Sequence, residues 1–144
     1  MRALLDVNFV IALLDPDHVH NDRAHEWWAI NRDLGWASCP VTENGVVRIL
    51  SNPNYSQSTT FSPSESINRL IELTTLNDHQ FWHDDISIRD SNILAVDRIH
   101  GPKQLTDLYL LALATQHKAR LVTFDQSIPL SAVKGAKATN LCVA

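Results

Sequence analysis

The sequence predicts an α/β protein built on a mainly parallel sheet. Three observations predict it. Short continuous apolar runs, such as Ala3-Leu4-Leu5 and Leu121-Val122, suit central strands covered on both faces. Helical patterns separate these runs, and strands alternating with helices favour parallel pairing. Four acidic residues, Asp6, Glu43, Asp107 and Asp125, stand at the edges of the apolar runs, where such sheets gather functional groups.

Arg2 to Leu5 is the expected first strand. A short helix follows through Leu14 and stops before Asp15-Pro16, because a residue preceding proline is biased away from helical dihedrals. Asn21 is the expected N-cap of a second helix that runs to about Arg32 and ends at Gly35. Trp36-Ala37-Ser38 forms a second strand, and Pro40, favoured at the first helical position, opens a third helix to about Leu50. Ser51 to Phe61, rich in Ser, Thr, Asn and Pro, reads as a loop. Ser62-Pro63-Ser64-Glu65 has the pattern of a capping box, followed by Ile67, Leu70 and Ile71 at helical spacing. Gln80-Phe81-Trp82 is expected to be a strand and Asp90 to Arg98 a helix. Gly101-Pro102 breaks the chain before a helix from about Thr106 to His117, apolar almost all round and therefore expected to be buried. Arg120 to Thr123 and Leu141-Cys142-Val143 complete the strands.

A length of 144 residues suits one domain, residues 1–144, with a sizeable core. The 44% hydrophobic content is that of a soluble globular protein, and no apolar run approaches membrane-spanning length. The net charge of -4 argues against broad electrostatic binding of nucleic acid, but leaves room for a substrate held locally through metal. Cys39 and Cys142 make neither a zinc spacing nor a disulfide framework. Asp6 and Asn8 interrupt the N-terminal apolar run, so it is not read as a signal peptide, and a cytoplasmic location is expected.

The acids carry the functional reading. A carboxylate among apolar neighbours is costly to bury unpaired, and no Lys or Arg lies within two residues of Asp6 or Asp107. Asp6 and Asp125 close predicted strands; Glu43 and Asp107 lie in the first turns of predicted helices. All four are therefore expected on one rim of the sheet. Gathered carboxylates repel, and a divalent cation relieves the repulsion; oxygen ligands without Cys or clustered His select Mg²⁺ or Mn²⁺ over Zn²⁺. Such a site suits phosphodiester hydrolysis, because the metal neutralises phosphate and acidifies water. Asn8 is placed to orient Asp6 or a water, and Thr123 to hydrogen-bond a neighbouring carboxylate. Taken singly, each acid is more often a turn or helix cap; it is the set of four that points to metal.

Other features carry less. His18, His20 and His25 lack a fourth ligand nearby and read as loop and cap histidines. His83-Asp84-Asp85 reads as a solvated turn. Trp27 and Trp28 cannot face the same way, so one is expected in the core and the other exposed as a contact. Arg48 is placed equally well to meet a phosphate or to lie on the surface.

The segments Leu4-Leu5-Asp6-Val7-Asn8, Thr42-Glu43-Asn44-Gly45, Thr106-Asp107-Leu108-Tyr109-Leu110-Leu111-Ala112 and Thr123-Phe124-Asp125 resemble PIN-domain proteins, and more narrowly the VapC toxins of bacterial toxin–antitoxin systems. Asp15-Pro16-Asp17-His18-Val19-His20 and Ala37-Ser38-Cys39-Pro40 share the likeness. The resemblance spans residue 1 to about 128. It implies a PIN-like three-layer α/β/α sandwich with a parallel sheet of four or five strands. It also implies a Mg²⁺-dependent endoribonuclease that cuts RNA, is neutralised by a VapB-like antitoxin and forms a homodimer. Asp6 and Asp107 match the firmest metal ligands of the family, Glu43 and Asp125 its remaining acids, and Asn8 and Thr123 its polar support. The stretches 51–61 and 77–104 carry no family motif.

Two rivals belong to other classes. A PIN-like module that binds RNA or a partner without cutting would be marked by loss of an acid, and this chain retains all four. A receiver domain or phosphatase needs a Lys after a later strand or, in one phosphatase class, a second Asp two residues after the first; no such Lys follows Val122-Thr123-Phe124, and position 8 is Asn.

Overall fold

The computed structural model describes residues 1–58 and 60–144. Five parallel strands form one sheet in the order β3-β2-β1-β4-β5, with β1 at Ala3–Leu5, β2 at Trp36–Ser38, β3 at His79–Phe81, β4 at Arg120–Thr123 and β5 at Leu141–Val143. Between them lie α1 (Val7–Leu14), α2 (Asn21–Asn31), α3 (Pro40–Leu50), α4 (Pro63–Thr74) and α5 (Leu105–Gln116).

Strand side chains alternate between faces, so the sheet divides the core in two. Ala3, Leu5, Trp36 and Val122 pack with Phe9, Val10, Trp28, Val46, Leu50 and Leu70 of the first four helices. Leu4, Ala37 and Leu121 pack on the opposite face with Leu108, Leu111 and other residues of α5. The layers are α/β/α, as expected. The apolar surround of α5 is explained by its burial: Leu108, Leu110, Leu111, Ala112, Leu113 and Ala114 are all inaccessible or nearly so.

The strands and most helices fall where the sequence puts them, with β3 one residue earlier than expected. Several expectations are corrected. His20, not Asn21, occupies the cap position of α2; Asn21 instead donates its amide to the carbonyls of Ala12 and Asp15, tying the start of α2 to the end of α1. Asp90 to Arg98 is not a helix but turns, an isolated bridge between Leu94 and Val133, and a 3-10 turn at Val96–Arg98. Ser62 caps α4 by accepting from Glu65 N–H, but of the three apolar residues only Leu70 is buried; Leu73 joins it, while Ile67 and Ile71 are exposed. Trp28 is buried, and Trp27 packs edge-on against Phe9 under the Arg120 guanidinium, so it is not a free contact residue. The expected loop from Ser51 to Phe61 is turns where described, and the Tyr55 hydroxyl donates to Asp15 at 2.6 Å; residue 59 lies outside the described residues.

Candidate active site

The carboxyl ends of β1, β2 and β4 and the first turns of α1, α3 and α5 meet on one edge of the sheet. Asp6 leaves β1 and caps α1, so its backbone is extended and its side chain turns back on the helix. Its Oδ1 accepts Val7 N–H at 2.6 Å and its Oδ2 accepts the Thr123 hydroxyl at 2.8 Å. That hydroxyl in turn accepts the N–H of Asp125 at 3.0 Å, so Thr123 joins the ends of β1 and β4 through one oxygen. Asp125 is held by the hydroxyl and N–H of Ser127, both donated to its Oδ1. Asp107 stands in the first turn of α5.

Electrostatics show that these three acids feel one another. Burial pushes the Asp6 carboxyl above its ordinary range, opposed by its bonds to Thr123 and Val7 and aided by the charge of Asp125. Burial, then the charges of Asp6 and Asp125 and a hydrogen bond toward Asp125, push Asp107 up to about 7. Asp125, wetter and bonded by Ser127, is held below the usual carboxylate range. Among the described residues the ion pairs are Arg2–Asp78 and Arg98–Asp97, so no protein cation is paired with the three aspartates.

Glu43 lies on the same rim but is engaged elsewhere. Its Oε2 accepts the Ser38 hydroxyl at 2.6 Å, and Ser38 Oγ is 2.8 Å from His79 Nε2. Glu43 lines a neighbouring groove with Val47, Ile67, Ile71, His79 and Phe81, whereas Asp6 and Asp107 line a cleft of about 370 Å³ with Asn8, Asn44, Arg48 and Lys103. Asn8 is exposed and lies between that cleft and a third hollow formed by His18, His20, Phe124 and Asp125. The structure thus brings Asp6, Asp107, Asp125 and Thr123 together and turns Glu43 toward Ser38 and His79. Of the histidines, His18 Nδ1 accepts His20 N–H and His25 contacts the Leu13 carbonyl, both structural bonds.

Among the described residues no three His, Cys, Asp or Glu side chains stand close enough to hold one ion together. The chemistry of the donor set nevertheless fits a hard divalent cation: carboxylate oxygens, one of them nearly buried, pushed up first by burial and then by neighbouring carboxylate charge, with no ion pair to a cation of the protein among the described residues. Arg48 is exposed and lines the cleft of Asp6 and Asp107, and Lys103 joins it. Sequence reasoning missed Lys103, Ser38, Ser127 and His79. Ser127, two residues after Asp125, had the spacing of an Asx turn and was the most accessible of these.

A PIN-domain family model matches residues 3–134. Ribonuclease VapC44 of Mycobacterium tuberculosis is 50% identical over 141 residues, covering 98% of each chain. Ribonuclease VapC39 of the same organism is 42% identical over 135 residues, covering 94% of this chain and 96% of the relative. Among solved structures, Mycobacterium tuberculosis VapC20, titled a sarcin-ricin loop cleaving toxin, superposes with a TM-score of 0.61 at 10% identity over 93% of this chain and 98% of that one. VapBC2 from Rickettsia felis, bound to a promoter DNA fragment, gives 0.58 at 13% identity over 90% and 94%. These two share the fold. The fold is that of a PIN domain, and the chain belongs to the PIN-domain family, among the VapC ribonucleases.

Proposed function

We propose that this chain is a divalent-metal-dependent endoribonuclease toxin that hydrolyses RNA phosphodiester bonds and is restrained by a VapB-like antitoxin. The observation that carries the reading is the cleft in which Asp6 and Asp107 lie beside Arg48 and Lys103, with Asp125 near enough for its charge to push both carboxyls up and, among the described residues, no ion pair to any of the three. The relatives at 42–50% identity are ribonucleases by name, which supports the same activity.

Asp6, Asp107 and Asp125, with Glu43 contributing from α3, would hold Mg²⁺ or Mn²⁺. When bound, such an ion neutralises phosphate charge and acidifies water beside it. Thr123 fixes Asp6 in one rotamer, and Ser127 does the same for Asp125. Arg48 and Lys103 draw the RNA backbone into the cleft, where their charges offset the protein's overall negative balance. The protein acts in the cytoplasm, as one domain, and as a homodimer. Among the described residues no helix is long and apolar enough to cross a membrane.

A rival reading, a PIN-like module that binds RNA or a partner without cutting, draws on one observation: Glu43 is bonded to Ser38 rather than presented to the aspartates. One experiment separates the two. Purified protein, free of antitoxin, is given RNA with and without Mg²⁺, beside Asp6→Asn and Asp107→Asn. The toxin reading expects Mg²⁺-dependent cleavage that both substitutions reduce by at least ~100-fold. Full cleavage by both variants, or none by the folded parent, would overturn it.

A further inference from the structure

Ser38 is nearly inaccessible, at 1% exposure, yet its hydroxyl makes two short bonds. A hydroxyl has one proton to donate. That proton goes to Glu43 Oε2, because a carboxylate only accepts. The Ser38 oxygen must then accept from His79, which requires the proton of the His79 ring to sit on Nε2. The result is a directed chain, His79 Nε2–H to Ser38 Oγ–H to Glu43 Oε2. It links three elements: β3, the end of β2 and the first turn of α3. Parallel pairing of β2 with β3 sets Trp36 opposite His79 and Ser38 opposite Phe81, so Trp36, Ser38 and His79 share one face. Trp36 supports the imidazole, with ring centroids 4.4 Å apart.

We propose that His79 is a positioning residue: acting through the buried Ser38 hydroxyl, it fixes the rotamer of the Glu43 carboxylate through Oε2 and leaves the other oxygen, Oε1, outside the chain. The proposal deepens the ribonuclease reading and rests on it for the role of Glu43. Without the chain, a glutamate in the first turn of a helix has three rotatable bonds and no reason to hold one orientation. A device that engages one carboxylate oxygen and spares the other is how such an acid is oriented by groups that never touch the substrate.

The test uses the full chain in two measurements. In ¹⁵N NMR of the metal-free protein, His79 is expected as the Nε2–H tautomer, with its ring resonances moved by Ser38→Ala and by Glu43→Gln. In RNA cleavage with Mg²⁺, His79→Ala and Ser38→Ala are expected to lower kcat on the order of tenfold with KM for RNA unchanged. Ser38→Thr, which keeps the hydroxyl, and His79→Gln, whose Nε2 also donates, are expected to recover most of the loss. In a Glu43→Ala background, His79→Ala is expected to have no further effect. An Nδ1–H tautomer, a loss in KM alone, or additive losses in the double variant would each overturn the proposal. Wild-type cleavage by Glu43→Ala would instead overturn the role given to Glu43 above; the tautomer and its response to Glu43→Gln would still decide whether the chain exists.

Discussion

Thr123 Oγ donates to Asp6 Oδ2 at 2.8 Å across 117 residues of sequence, and the same oxygen accepts the N–H of Asp125. One hydroxyl at the end of β4 thereby sets the position of a nearly buried carboxylate at the end of β1. Thr123 ends β4 and Asp6 directly follows the neighbouring parallel β1, with Leu5 paired to Val122, so the contact follows from register rather than from the loops.

Thr123→Val keeps the shape and removes the hydroxyl. Asp6 then loses a donor while staying buried, an arrangement that costs about 1–3 kcal/mol. The expected outcome is a lower melting temperature and weaker cleavage, with Thr123→Ser close to the parent in both. A Thr123→Val protein that melts with the parent would show the bond to be dispensable.

Asp107→Asn should separate activity from stability. The substitution removes a proposed ligand and also a charge repelled by Asp6 and Asp125. Cleavage should fall by at least ~100-fold, while the metal-free protein at pH 8 melts no lower than the parent, because like-charge repulsion is relieved. Calorimetric melting beside a cleavage assay reads both.

The pH dependence of stability has a definite sign. Asp107 is raised from an ordinary 3.8 to about 7 in the folded protein, and Asp6 is raised as well. An acid raised by folding contributes stability that is fully present below its unfolded pKa and is lost as pH rises through the folded value. Asp125, held low, works in the opposite direction at acid pH. The metal-free protein should therefore lose stability from about pH 4 to about pH 7 through Asp107. Added Mg²⁺ should restore more of the melting temperature at pH 8 than at pH 5.5, since it binds the deprotonated acids. An equal Mg²⁺ shift at both pH values would contradict the assignment.

Arg48→Ala should act on RNA binding rather than chemistry. Arg48 is exposed within the cleft and has none of the buried bonds of the acids. KM for RNA should rise with kcat little changed, and the slope of log affinity against log salt should shrink by about 0.7, the share of one phosphate contact on a single strand. An unaltered salt slope would place Arg48 outside the RNA path.

The fold was legible to the degree that burial writes itself into contiguous sequence. Ala3–Leu5, residues 121–123 and the middle of α5 from Leu110 to Ala114 are buried, and a segment with no wet face has no need of polar positions. Residues 77–104 were opaque for the converse reason. Only Trp82 and Leu94 are buried there, and their partners lie on α5 and the chain beyond it, so no local period marks them. In α4 the period of Ile67, Leu70 and Ile71 is real, but only Leu70 reaches the core, while Ile67 and Ile71 stay exposed along a groove.

The sequence by itself determined the elements and the residue types of the rim: acids where strands end and helices begin, with no basic neighbour to balance Asp6 or Asp107. Tertiary structure alone decided which acids face one another and what holds each. Asp6 meets Thr123 because β1 pairs with β4, and Glu43 turns toward Ser38 and His79 because β3 pairs with β2. Strand order is a long-range outcome of packing and loop closure, and side-chain bonds that depend on it leave no mark in the local pattern of residues.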